Sequence, residues 1–264
     1  MAKQETFLSC YRGNQNAVRH VAYMRQSKVL LIRHVLRRLG IALEGKRIFD
    51  YGFGAGTFFR DCPQSSKLFG VELDPVNVQD VSRMLASRGF SQIDLSPIAI
   101  ETWAQHRLLQ QKYDLVICSH VLEHIDNPVH FLQRLGDCLD ENGLFVGLVP
   151  INERKQDPHH VRQMNLTALN NWLPSTKFCL VDWIETDSWL YWIQPIFTHE
   201  SGFVHKLAQA ISVVLGLGAT GLGHNNWFAL SRFFGRFTGS KATQAAFVLR
   251  PHQRPSQKNF GATQ

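Results

Sequence analysis

Beyond Glu200 the chain has no acidic residue. All 21 Asp and Glu lie at or before that position together with 21 of the 28 Lys and Arg, so residues 1–200 are formally neutral. The net charge of +7 therefore comes from Lys206, Arg232, Arg236, Lys241, Arg250, Arg254 and Lys258. A region without acids favours an anionic partner, whether membrane surface, nucleic acid or acidic substrate. Paired cysteines are also missing. The five present, Cys10, Cys62, Cys118, Cys138 and Cys179, are scattered and form no Cys-x-x-Cys, which argues against structural zinc and for a reducing compartment. Met1-Ala2-Lys3-Gln4-Glu5 opens no apolar run, so no leader is expected and the expected location is cytoplasmic, with peripheral contact to the inner face of a membrane as its extension. The longest uncharged run, 207–231, contains His224, Asn225, Asn226 and Gly216, Gly218, Gly221 and Gly223, which excludes a segment crossing ~30 Å of hydrocarbon. No nucleophile–base triad is evident.

What is present is one organising stretch, Arg47-Ile48-Phe49-Asp50-Tyr51-Gly52-Phe53-Gly54-Ala55-Gly56-Thr57-Phe58-Phe59. An apolar run, three alternate glycines and an aromatic segment without a breaker predict strand, tight turn and helix, the helix stopped by Pro63. Glycine in such a turn permits positive φ and brings main-chain N–H groups close to a ligand. The next apolar strand, Leu68-Phe69-Gly70-Val71, ends in Glu72, where a ribose-binding acid belongs. A dinucleotide turn would have a small third residue at position 57, and Thr57 disfavours it.

The segment Asp50-Tyr51-Gly52-Phe53-Gly54-Ala55-Gly56 resembles the first motif of the class I S-adenosylmethionine-dependent methyltransferases, acid-x-Gly-x-Gly-x-Gly, and the small-molecule members in particular. Tyr113–Ile125 is similar to that family's fourth strand and following loop, and Glu141–Pro150 to its fifth strand; the resemblance covers about residues 45–180. It implies a three-layer α/β sandwich around a mostly parallel seven-stranded sheet, with N-terminal helices and a helical insertion before the last strand. It implies S-adenosyl-L-methionine as cofactor, with Asp50, Tyr51, Gly52, Phe53, Gly54, Gly56, Glu72, Leu73, Glu101, Ser119 and His120 around it, and His120 and His160 as candidate catalytic residues. The acid near adenine is read as Glu101 in preference to Asp94, because Glu101 follows the uninterrupted piece Ile98 to Ile100. Tyr11 and Arg12 are weaker site candidates, since N-terminal helices of that family often close over the site.

Residues 1–44 read as an N-terminal helical segment, 45–250 as the methyltransferase domain with an insertion at 193–240, and 251–264 as a mobile tail. Val18, Val21, Val29, Ile32, Val35, Leu36 and Leu39 recur at helical spacing before Gly40, with solvated bases between them. Asp74-Pro75 starts the next helix, which runs to about Arg88 before Gly89, and Pro128 starts another that includes Leu139 before the Asn142-Gly143 turn. For Glu123 and His124 a structural role, with the imidazole hydrogen-bonded near a helix start, stands level with a role in the site. Asp157-Pro158-His159-His160-Val161-Arg162 is similar to an acceptor-pocket segment of the resembling family and makes His160 a base or an orienting residue. His159-His160 has no carboxylate or cysteine at ligand spacing, so no metal is expected.

Residues 177–192 predict the sixth strand and 244–250 the seventh. Between them Phe203, Leu207, Ile211 and Val214 form one apolar stripe, interrupted by the glycines, and Trp227, Leu230, Phe234 and Phe237 a second, flanked by Arg232 and Arg236. This insertion is read as a lid over an acceptor pocket or, through 203–237, as a peripheral membrane contact. The expected activity is methyl transfer to a small or lipid-like molecule. An RNA methyltransferase using the basic helix and tail lacks an aromatic stacking motif here, so nucleic acid is not the expected partner. A non-catalytic nucleotide-binding module on the same fold is the other alternative.

Overall fold

A computed structural model describes residues 22–154, 157, 159–188, 191 and 202–252. Tyr11, Arg12, Trp189 and the tail from 253 lie outside the described residues. Seven strands form one sheet in the order β3-β2-β1-β4-β5-β7-β6, with β7 alone antiparallel to its neighbours. The strands are β1 Arg47–Tyr51, β2 Lys67–Glu72, β3 Gln92–Pro97, β4 Tyr113–Ser119, β5 Leu139–Pro150, β6 Phe178–Thr186 and β7 Gln244–Pro251. Chain direction across the sheet reverses between β1 and β4, which is where an open parallel sheet leaves a crevice at its carboxyl edge.

Alternate residues of β1 face opposite layers, Ile48 to one core and Phe49 and Tyr51 to the other. The first layer holds α1 (Tyr23–Arg38), α2 (Pro75–Ser87) and the insertion helices α5 (Gly202–Leu222) and α6 (His224–Thr238). The second holds α3 (Pro128–Gly136), α4 (Leu166–Trp172) and two short 3₁₀ turns between 103 and 110. Asp74 caps α2 by accepting from Val76 N–H at 3.0 Å, Asn127 caps α3 and Asn165 caps α4, each with a side-chain oxygen on an otherwise orphan amide. Leu139 lies in β5, and Asn142-Gly143 lies within that strand, where its register against β4 shifts between Tyr113 and Leu115.

Two expectations need correction, and the third strand, open in the sequence between residues 91–95 and 98–100, is decided. The helix foreseen after the glycine bend is a single 3₁₀ turn, Phe59–Asp61. Phe53, Phe58 and Phe59 fill that space themselves beside α1, so side chains replace a helix as the cover of β1 and β2. The third strand is the earlier piece, ending at Pro97, because its polar residues pair edge-on with β2 from Lys67↔Gln92 to Glu72↔Pro97, leaving Ile98–Ile100 outside the sheet. Finally, Gly216, Gly218 and Gly221 do not interrupt α5. The helix runs through them and stops only at Gly223, whose φ is 74°.

The insertion docks on α1 through one face. Ala219, Trp227 and Phe228 are buried there, and the Trp227 indole N–H donates to Tyr23 Oη at 2.6 Å. Arg33 pairs with Asp61 and Arg38 with Asp182, so part of the basic run on α1 is pinned to acids and not merely solvated.

Candidate active site

Gly52, Gly54 and Gly56 have φ of 76°, 54° and 66°, the left-handed region that side chains other than glycine's adopt with strain. A Cβ on Gly52 would meet Val121 Cγ2 at 2.7 Å, and one on Gly56 would meet Val81 Cγ1 at 2.6 Å. A Cβ on Gly54 would meet nothing within 4 Å. The middle of the bend therefore faces open space while its ends are packed.

Glu72 crosses to this bend. Its Oε2 accepts from Gly54 N–H at 2.7 Å and its Oε1 from Leu73 and Asp74 N–H at 2.8 and 3.2 Å. Burial raises its carboxyl above the usual range, and the three amides oppose the shift. Tyr51 and Phe53 point their side chains into opposite cores, so only their main chain is available to a ligand. Asp50 is buried on the α1 side with Oδ1 lacking a hydrogen-bond partner. Burial and then Glu72 raise its pKa to about 8, opposed by Lys28 of α1. Lys28 was expected among the solvated bases. It is half-buried instead, and burial lowers its ammonium to about 8 against the pull of Glu123 and Asp50.

Across the crevice, Ser119 ends β4 with a buried Oγ that has no partner, and His120 follows with φ 55°. Asn152 after β5 and Asp187 after β6 are the other non-glycine residues with positive φ among the described residues, so the three lie at one edge of the sheet. Strain of this kind gathers where a site over-determines the backbone. His120 Nε2 lies 2.9 Å from Gln244 Oε1, and burial holds its imidazole well below 6.5.

His160 sits on the loop after β5 with Nδ1 2.9 Å from Glu153 Oε2. Burial pulls its pKa down, but the Glu153 bond and charge outweigh that and leave it raised. Glu123 is fully buried with neither carboxylate oxygen hydrogen-bonded, and burial lifts it to about 7. Glu123, His124 and His160 converge, a grouping that sequence spacing had argued against, because its members come from two different crossovers.

Of the two acids read as possible adenine neighbours, Glu101 is the expected one and Asp94 the alternative. Asp94 lies on β3 and is held by Arg107 through both carboxylate oxygens. Glu101 is exposed in the turn beyond β3, past Ile98–Ile100, which are not strand. Lys28, Glu153, Asp187 and Gln244 were missed. Only the polar Gln244 opening an apolar strand gave any signal.

A β1 with Asp50 at its penultimate position, a glycine bend with an open centre, a carboxylate braced against it and a β4 terminus facing it define a nucleotide-cofactor enzyme of the α/β class. The chain belongs to the methyltransferase domain family, which it matches over residues 23–189. Among curated relatives it is 28% identical over 105 residues to a ubiquinone biosynthesis O-methyltransferase of Histophilus somni, covering 39% of this chain and 44% of that protein. To the protein of the same name from Idiomarina loihiensis it is 30% identical over 102 residues, covering 38% and 41%. The chain thus spans less than half the length of these relatives. Among solved structures, the [4+2]-cyclase SpnF aligns with TM-score 0.58 at 18% identity over 91% of this chain and 84% of that one. A coclaurine N-methyltransferase bound to N-methylheliamine and S-adenosylhomocysteine aligns with TM-score 0.57 at 11% identity over 86% and 71%. These likenesses bear out the three-layer fold. The open face of Gly54, the reach of Glu72 and the orphan Ser119 hydroxyl fit S-adenosylmethionine, the cofactor of the family.

Proposed function

We propose that the chain transfers a methyl group from S-adenosylmethionine to a small, lipid-like acceptor. The observation that carries the reading is the open centre of the bend at Gly54, with Glu72 braced beside it. When bound, the sulfonium cofactor supplies a methyl group already activated for displacement. The chain's part is then to align the acceptor, exclude water and receive a proton if the acceptor atom carries one. Gly52, Gly54 and Gly56 with the main chain of Tyr51 and Phe53 would cradle the cofactor. Glu72 would grip its ribose, Leu73 would flank its adenine, and Ser119 its methionyl end. His120 stays neutral and orients the acceptor. In the metal-free protein the His160–Glu153 pair is the proton acceptor, the carboxylate holding the ring as in other base–orienter pairs.

The names of the curated relatives favour an oxygen on a lipid-like molecule as acceptor. The outer face of the hairpin supports contact with a membrane that would present it. Val214, Phe233 and Phe237 are 68%, 67% and 83% exposed, beside Arg232 and Arg236, with no acid in either helix. No helix among the described residues is long and apolar enough to cross a membrane. The test is calorimetric titration with S-adenosylmethionine and its demethylated product, and no heat with either ends the reading. A second reading, a non-transferring reaction on the same fold, is kept because one structural neighbour, SpnF, is a [4+2]-cyclase. It predicts cofactor binding without methyl release to any acceptor oxygen.

A further inference from the structure

At the rim of the crevice, one ligand-type atom from each of Glu123, His124 and His160 lies within 4.8 Å of the other two. The loops that carry them are tied together. Val161 N–H donates to Glu123 O at 3.0 Å, and Arg162 Nη2 donates to Asp126 O at 2.8 Å. Each imidazole is held by an oxygen that can only accept. His124 Nδ1 lies 3.0 Å from His159 O and His160 Nδ1 2.9 Å from Glu153 Oε2. Both Nδ1 atoms therefore carry hydrogen, and in the neutral rings Nε2 bears the lone pair. A carbonyl or carboxylate behind Nδ1 is the arrangement that orients metal-ligating histidines.

The third group supplies an independent observation. The Glu123 side chain is 1% exposed and neither of its oxygens has a hydrogen-bond partner; His120 Nδ1 lies 3.5 Å from Oε1. A buried carboxylate left in that state is unfavourable by several kcal/mol unless a proton or a cation compensates it. We propose that Glu123, His124 and His160 bind a divalent first-row transition-metal ion as a two-histidine, one-carboxylate site, with Glu153 as the positioning residue for His160. Two imidazoles and one carboxylate suit zinc, iron, cobalt or nickel, whereas calcium and magnesium prefer sets made of oxygen. Bonds of about 2.0–2.2 Å place ligand atoms roughly 3.0–3.4 Å apart, so the three side chains close by about an ångström on binding. Three protein ligands leave coordination positions for water or for an acceptor oxygen, whose proton the ion would make easier to lose. Lys28 opposes the ion, since its charge acts on Glu123 and is the rival explanation for that carboxylate.

The site stands apart from the methyl-transfer reading, because uptake of metal needs neither cofactor nor acceptor. The full chain, stripped with a chelator, is titrated with Co²⁺ alone and followed by visible ligand-field absorption, then back-titrated with Zn²⁺. Expected is one equivalent of Co²⁺ with an absorption that Zn²⁺ abolishes. Glu123→Gln and His160→Ala should each weaken binding at least about 10-fold, and Glu153→Gln, which weakens the hold on His160 Nδ1, about 10- to 100-fold. The absence of ligand-field absorption in the folded wild type overturns the proposal, and no variant is needed for that result. Uptake that is the same in wild type, Glu123→Gln and His160→Ala overturns it as well.

Discussion

His120 Nε2 lies 2.9 Å from Gln244 Oε1, and the other end of that amide donates from Nε2 to Asp187 Oδ2 at 3.2 Å. Asp187 Oδ1 in turn accepts from the Tyr23 hydroxyl, which accepts from Trp227. Five side chains from α6, α1, the end of β6, the start of β7 and the loop after β4 thus make one buried chain. With Asp187 ionised, the order of donors fixes the Gln244 amide, and the amide fixes His120 with hydrogen on Nε2 and the lone pair on Nδ1. The insertion is in this way connected to a candidate catalytic imidazole.

Replacing the relay residue Gln244 by Leu should leave the His120 N–H and one Asp187 oxygen without partners in a buried place. A loss of about 1–3 kcal/mol in urea unfolding is expected, together with loss of the single ring tautomer of His120 in nitrogen-15 NMR. An unchanged tautomer would show that the relay does not orient the ring.

Asp187 sets a pH dependence of stability. Burial outweighs the help of the Tyr23 hydroxyl and lifts its carboxyl to about 7, whereas an unfolded Asp titrates near about 3.9. Between those values the folded protein holds a proton that the unfolded chain has released. The contribution is therefore fully present below about pH 4 and declines as pH rises towards 7, by at most ~1.4 kcal/mol per pH unit. Asp50, raised to about 8, acts with the same sign over a slightly wider range. Asp187→Asn should flatten the slope of unfolding free energy between pH 5 and 7, as read by urea titration at each pH. Equal slopes in the two proteins would refute the assignment.

Gly54→Val separates cofactor binding from folding. The added side chain meets nothing within 4 Å, so the fold bears chiefly the strain of positive φ, on the order of 1–2 kcal/mol. The same side chain occupies the space that the cofactor needs, and the heat of S-adenosylmethionine binding should disappear while the protein still unfolds cooperatively. Full affinity in the variant would remove the bend from the site.

Phe233→Glu with Phe237→Glu tests the hairpin. Both rings are exposed and stacked on each other, so stability should move by no more than ~0.5 kcal/mol per site. Co-sedimentation with vesicles rich in anionic phospholipid should be lost. If neither protein sediments with such vesicles at low salt, the hairpin's outer face has some other role.

Much of the cofactor side was legible because it is local. A glycine bend and the next strand's terminal acid are set by backbone conformation and strand periodicity, and both stand where the pattern put them. The insertion was legible as two apolar stripes, since helical spacing survives the glycines that were expected to break it. The short turn after the bend was not legible, because three phenylalanines filling the space of a helix leave the same apolar record as a helix. The sequence leaves the place of β3 open between residues 91–95 and 98–100 for a related reason. Edge pairing with β2 through main-chain bonds outweighed the greater hydrophobicity of Ile98–Ile100.

By itself the sequence determined the glycine bend, the acid at the end of β2, the two helical stripes of the insertion and the one-signed charge after Glu200. These follow from local propensity and from simple counting. Tertiary structure alone decided that Glu123, His124 and His160 would converge and that Lys28 would approach Asp50. It alone joined His120 to Trp227 through Gln244, Asp187 and Tyr23. Those groups lie on separate crossovers, and only closure of the sheet, with burial removing water from between them, makes them neighbours.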